Sequence, residues 1–303
     1  MTNPYHTPVL LQACIDNLNI VPDGIYVDLT FGGGGHSAHI LKQLGENGKL
    51  FAFDQDEDAA RNVLDDKRFT LVPQNFRYLK NYLRLYGVNQ VDGILGDLGV
   101  SSHQFDEADR GFSIRFDAEL DMRMNRQNPL TAKRVVNEYD ERQLLSIFRE
   151  YGEINNAGKL VQQIAAARNE KEISTTGDLK ETIRLCTPKH EENKYLARVF
   201  QALRIEVNQE MEALKECLGQ CVEVLKEGGR LVVISYHSLE DRLVKNLIRA
   251  GNVEGVENKD IIYGTSKKIF KSLSSKPILP DEEEISRNPR ARSAKLRVAE
   301  KLA

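Results

Sequence analysis

Tryptophan is absent from the 303 residues, and there are only four cysteines, four methionines and nine prolines. So few and so scattered, Cys14, Cys186, Cys217 and Cys221 exclude a disulfide-stapled fold. Cys217 and Cys221 stand one helical turn apart, but no histidine or second cysteine pair accompanies them. The tetrahedral donor set of a zinc site is therefore missing, and buried reduced thiols are expected. No apolar run approaches the roughly 20 residues that a membrane span requires. The opening "MTNPYHTPVLL" has neither the charged start nor the apolar middle of a signal peptide. A cytoplasmic chain is expected. No internal repeat is present.

What the chain does contain is enough apolar residue, 41%, for a large core, with 29% charged residues as in soluble enzymes. Its length favours two domains over one. The net charge of −3 is unevenly spread: residues 264–303 carry ten Lys/Arg against five Asp/Glu, so the remainder is −8. In that last segment "KKIFKSLSSK" and "RNPRARSAKLR" are basic and "DEEE" is acidic. Basic stretches of this kind are either solvated surface or phosphate contacts.

Apolar runs alternate with helical patterns through the first hundred residues. "GIYVDLT" (24–30), "KLFAFDQD" (49–56), "FTLVPQNF" (69–76) and "VDGILGDLG" (91–99) read as strands. "SAHILKQLGENG", "DAARNVLDD" and "LKNYLRLYG" read as the helices between them. This order implies a doubly wound parallel sheet, with its ligand at the carboxyl ends of the strands. From 107 to 207 only helical spacing appears. Asn208 is placed to cap a helix running to Lys226, after which "GGRLVVISYHS" (228–238) returns as a strand. The expected organisation is an α/β domain in two parts, 1–106 and 208–303, the second ending in a basic tail. A helical insertion, 107–207, interrupts it.

Between the first strand and its helix lies "DLTFGGGGHS" (28–37). Four consecutive glycines cost stability in any regular element, so they point to a loop shaped around a ligand. "GGGHSA" (33–38) satisfies G-x-G-x-x-A, and Asp54 follows at the end of the second strand, suited to ribose hydroxyls. A nicotinamide cofactor and S-adenosylmethionine both carry adenosine. Asp28, ahead of the glycines, suits the cationic amino-acid end of S-adenosylmethionine better than a pyrophosphate. The fourth strand also ends in a polar cluster, "GDLGVSS".

The blocks "HTPVLL" (6–11), "DLTFGGGGHS" (28–37), "FDQD" (53–56), "DLGVSSHQFD" (97–106), "RGFS" (110–113), "LDMRM" (120–124), "FQALRIEVNQE" (200–210), "ISYHSLEDR" (234–242) and "NPRARSAKLR" (288–297) run in order along the chain. They resemble the ribosomal RNA small subunit methyltransferase H family, also called MraW, over essentially the whole length. Ala13 stands where that family usually has Glu, and Glu119 where it usually has Pro.

The resemblance implies a Rossmann-like class I S-adenosylmethionine-dependent methyltransferase sheet. It also implies methylation of the exocyclic N4 of a cytidine in the decoding region of 16S ribosomal RNA, with the small ribosomal subunit as partner. By motif match the cofactor contacts fall on Gly34, Gly35, His36, Asp54, Phe76, Asp97 and Gln104. Many amino methyltransferases carry an Asn/Asp-Pro-Pro-aromatic turn after the fourth strand. Here Asp97-Leu98-Gly99-Val100 holds that place, so Asp97 is either the acceptor for the amine or a cofactor ligand. Candidate RNA contacts are Arg110 and Arg123 at the start of the insertion, His237, Ser238 and Arg242 after the fifth strand, and Arg290 and Arg292 in the basic segment. Arg110 and Arg123 have rivals in neighbouring aspartates, and Ser238 could instead cap a helix. Two other classes remain open: a nicotinamide oxidoreductase, and an RNA-binding assembly protein with a vestigial cofactor fold.

Overall fold

A computed structural model of the protein describes residues 8–257 and 268–303. The first two residues of "HTPVLL" and positions 264–267 of the basic segment lie outside it. The chain divides into two compact units, one of Met1–Gly99 with Met211–Ala303 and the other of Val100–Glu210.

The first unit opens with helix α1 (Leu11–Leu18) and then alternates: β1 (Ile25–Asp28), α2 (Gly35–Gln43), β2 (Lys49–Phe53), β3 (Phe69–Val72), α3 (Leu79–Leu85) and β4 (Val91–Asp97). These strands are short apolar runs without polar alternation, as expected where a parallel sheet is covered on both faces. Tyr26, Val27, Leu50, Ala52, Phe53, Ile94 and Leu95 are all at most 1% exposed. Ala13 rests on α1 at the margin of that core.

"DAARNVLDD" does not form the expected α-helix. It contributes only to a 3₁₀ turn at Glu57–Asn62, in which Ala59 alone is buried. Val63 points outward, so no apolar stripe anchors a longer helix.

The second unit contains α4 (Ser102–Asp106), α5 (Ala132–Glu138), α6 (Glu141–Glu150), α7 (Ala157–Glu170), α8 (Thr176–Ile183) and α9 (Glu192–Asn208). Thr131, Asp140 and Thr175 each cap the helix that follows them through a side-chain oxygen. Leu144, Phe148, Leu160, Ile164, Leu179, Val199 and Leu203, on successive helix faces, close a core of its own. Its sole β-bridge, among the described residues, joins Glu119 and Thr175. Asn208 is not a helix start. It ends α9, and its carboxamide joins the Met122 carbonyl and the Met124 amide instead. Gln209 then takes a left-handed conformation before the next helix.

The chain returns to the first unit along α10 (Glu210–Val224), then β5 (Leu225–Ser235), α11 (Ser238–Ala250), β6 (Phe270–Ser272), α12 (Glu282–Arg287) and β7 (Lys295–Lys301). The sheet order is β3-β2-β1-β4-β5-β7-β6. The first five strands are parallel, and β7 runs antiparallel between β5 and β6. The basic segment is therefore no tail. "KLRVAEK" alternates, with Leu296 and Val298 buried in the core and Lys295 and Arg297 at the other face. Arg297 and Lys295 both reach Asp241 on α11, Arg297 by two hydrogen bonds. Among the described residues no helix is long and apolar enough to cross a membrane.

Candidate active site

Strand register places the chemistry-bearing residues. Asp28 ends β1 opposite Ala52 of β2 on one side and Leu95 of β4 on the other. Asp54 and Asp97 each lie two residues beyond those partners, so three carboxylates share one rim at the carboxyl ends of adjacent strands. The strand order reverses between β1 and β4, the switch point at which open α/β sheets receive ligands.

The glycine turn folds over this rim. Gly32 and Gly34 have φ of 51° and 74°, a region that L side chains adopt only at a cost. The Gly34 amide closes the turn onto the Phe31 carbonyl at 2.8 Å, and a Cβ on Gly34 would stand 3.0 Å from the Phe31 ring. At Gly35 a Cβ would collide with Pro8, whereas at Gly33 it would meet nothing within 4 Å. Packing within the protein thus accounts for Gly34 and Gly35 but leaves Gly33 unexplained. Asp54 braces the turn, accepting from the Gly32 amide at 2.8 Å and the Asp56 amide at 2.9 Å.

Asp28 is 1% exposed and accepts from Ser37 Oγ at 2.7 Å and the Thr30 amide at 3.0 Å. On α2, His36 donates from Nε2 to the Val9 carbonyl at 3.2 Å, since a carbonyl only accepts. Its Nδ1 then faces Asp97 Oδ2 at 3.9 Å. Asp97 is held further by its amide, which donates to Thr30 Oγ1 at 2.7 Å, and by the Tyr236 hydroxyl, which donates to Oδ1 at 2.8 Å. Some 23% of the Asp97 side chain stays accessible.

Burial pushes Asp54 and Asp97 up to about 6, and each is raised further by the negative charge of Asp28. Asp28 is itself raised by burial, against the opposing hydrogen bond from Ser37 and the nearby His36. Three carboxylates crowded together are an unfavourable setting for a pyrophosphate and a favourable one for a ligand carrying positive charge. The residues therefore fit S-adenosylmethionine: the acidic rim suits its ammonium and sulfonium, the first turn of α2 suits its carboxylate, and Asp54 suits its ribose. They fit a nicotinamide dinucleotide poorly.

Other sequence-based candidates are placed differently. Phe76 does not end β3. It begins a 3₁₀ turn at Phe76–Tyr78, four residues later, capped by Asn75, and is half-buried rather than part of the core. In the second unit Gln104 is 5% exposed and completes a capping box with Ser101. The S-x-x-Q spacing of "SSHQ" carries that signal.

Arg110, 2% exposed, donates to the carbonyls of Arg123 and Met124, which removes it from any surface that RNA could reach. Arg123 gives four hydrogen bonds to Asp121 and to the carbonyls of Arg126 and Asn128. Its guanidinium braces the loop. His237, not Ser238, is the N-cap of α11, and Glu240 returns the bond. Ser238, Arg242 and Arg292 are exposed, and Arg290 is half-buried. Tyr236, Thr30 and Ser37 lie inside the blocks that resemble the family, but their pairings are not legible there, because the partners become neighbours only through sheet register and the turn.

Sheet order, switch-point rim and glycine turn together define a Rossmann-like protein with a ligand site at its carboxyl edge. Residues 3–302 match the MraW methylase family. The chain is 59% identical over 301 residues to the ribosomal RNA small subunit methyltransferase H of Flavobacterium johnsoniae, with 99% of each covered. It is 58% identical over 297 residues to the protein so named from Bacteroides thetaiotaomicron, covering 98% of this chain and 97% of that one. The chain belongs to the MraW methylase family.

Proposed function

We propose that the protein transfers a methyl group from S-adenosylmethionine to ribosomal RNA of the small subunit. The target we infer is the exocyclic N4 of a cytidine in the decoding region of 16S RNA. The observation that carries the cofactor reading is the rim of Asp28, Asp54 and Asp97, whose raised proton affinities a cationic ligand would relieve. The RNA reading rests on relatives named ribosomal RNA small subunit methyltransferase H, nearly 60% identical along the whole chain.

When bound, S-adenosylmethionine supplies a methyl group on a positively charged sulfur. Gly33 would leave room for close approach to the backbone, the α2 N-terminus would hold the cofactor carboxylate, and Asp54 would hold its ribose. Asp97 serves the nucleophile: its accessible carboxylate accepts a hydrogen bond from the amino group, whose lone pair is otherwise delocalised into the ring, and then takes the amine proton. Its raised proton affinity in the ligand-free site falls when the sulfonium binds, so the carboxylate is ionised at neutral pH when the amine arrives. Alignment contributes much of the remaining acceleration. A paired cytosine hides N4, so the target base must be unpaired or drawn out of its stack. Recognition of the RNA we assign to the helical unit, assisted by Ser238, Arg242, Arg290 and Arg292.

Nucleoside mass spectrometry of ribosomal RNA, with and without the gene, tests the product. Loss of N4-methylcytidine is expected, and loss of a different modified nucleoside would overturn the target while leaving methyl transfer standing. Asp97→Asn separates the two roles of the carboxylate. For an acceptor, turnover should drop by about two orders of magnitude or more while cofactor affinity stays within about threefold. Parallel losses would make Asp97 a cofactor ligand only.

A further inference from the structure

We propose that Tyr236 is a positioning residue of this site, fixing the Asp97 carboxylate so that Oδ2 is the oxygen left to act on the substrate. The inference rests on the reading of Asp97 given above. β4 and β5 are paired with Asp97 opposite Ile234, so Tyr236 stands two residues beyond the partner of Asp97, on the neighbouring strand's exit. From there its hydroxyl donates to Oδ1 at 2.8 Å.

The tyrosine is itself held at both ends. Its amide donates to Glu240 Oε2 at 2.8 Å, and Glu240 is 2% exposed. Its ring packs on the core beneath the rim and approaches the backbone at Gly99, where a Cβ would stand 3.4 Å away. Two residues after Asp97, Gly99 has a φ of 97°, in the region that favours glycine. Burial and the adjacent Asp97 charge hold the Tyr236 proton well above the usual phenol range. While Asp97 is ionised, the hydroxyl is therefore the donor in this pair and Oδ1 is its acceptor.

The groups facing Asp97 come from every neighbouring element: Asp28 on β1, His36 on α2, Cys14 on α1, and Tyr236 and Glu240 after β5. His36 when protonated and the Tyr236 hydroxyl favour the ionised carboxylate, while Asp28 and Glu240 oppose it. Removing the hydroxyl shifts this balance toward the protonated form and frees the carboxylate to rotate.

Tyr236→Phe keeps the ring and deletes only the oxygen. Two readouts are compared with the parent protein: the Asp97 carboxyl titration, followed by NMR on carbon-13-labelled aspartate and assigned with Asp97→Asn, and the pH profile of turnover on small ribosomal subunits lacking the modification. An upward move of about half a unit to one unit in the Asp97 midpoint, matched by the acid limb of the profile, is expected. At pH 8, turnover should fall about tenfold or more with S-adenosylhomocysteine affinity within about threefold. An unmoved titration and profile would reduce Tyr236 to packing and overturn the inference. If Asp97→Asn instead retains full turnover, the Asp97 assignment itself fails, whatever Tyr236→Phe does.

Discussion

At the scale of single residues, the rim aspartates carry the clearest consequences. An unfolded aspartate titrates near 3.9, and Asp97 in the folded protein near 6. Between those values the folded state binds more protons than the unfolded one, so this contribution is present at low pH and lost as pH rises through about 6. Asp97→Asn should therefore gain stability relative to the parent between pH 4 and pH 8, by roughly 1–3 kcal/mol. Melting in the ligand-free state measures it, and a constant difference across that range would contradict it. Asp54→Asn replaces an acceptor oxygen with a donor opposite an amide hydrogen and should weaken cofactor binding by about 10–100-fold in calorimetry. Unchanged affinity would remove Asp54 from the site. Asp54 is legible in the sequence because its role depends on a local spacing from the glycines. Tyr236 is not, because its partner Asp97 lies on another strand and only sheet register unites them. Gln104 carries two signals at once, a family match and a capping box, and the cap is the one visible in the geometry.

Among elements, the glycine turn separates folding from binding. Gly33→Ala meets no neighbour and needs no unusual dihedral, so its melting temperature should stay within about 2 °C of the parent. If the cofactor approaches here, its affinity should nevertheless fall. Gly34→Ala, at positive φ and against the Phe31 ring, should lose about 1–2 kcal/mol of stability. Equal melting temperatures for the two variants would refute this account of the turn. The parallel strands are readable because burial on both faces leaves continuous apolar runs. β7 reads as a basic tail because its charged face outweighs Leu296 and Val298 in composition, although the alternation is there. That difference changes which cations can meet a phosphate. Arg297 is committed to Asp241 by two hydrogen bonds, so a salt-dependence test leaves it out and takes Arg290 and Arg292, the two cations of the segment proposed above as RNA contacts. Neutralising both should reduce the slope of log affinity against log salt by up to about 2, and an unchanged slope would exclude them as phosphate contacts.

For the molecule as a whole, the two units and the interruption of the sheet are visible as a change from alternating to purely helical patterning. The boundaries are less so. Unit two begins at Val100 and ends at Glu210, since a capping box at Ser101 and a left-handed residue at Gln209 mark joints that hydrophobic periodicity does not reveal. The interruption falls between β4 and β5, which are paired along most of their length. On the ribosome, β4 therefore emerges long before its neighbour and waits through synthesis of the entire helical unit with one backbone edge unsatisfied. Val91, Ile94 and Leu95, fully buried in the finished protein, lie along that edge, an arrangement that invites pairing with another nascent chain. A fragment of residues 1–106 should accordingly be found in the pellet on expression, and co-expression with 208–303 should return part of it to the supernatant. The helical unit also has its own core and can mature first, so the newborn chain would carry a finished helical unit while its sheet is still incomplete.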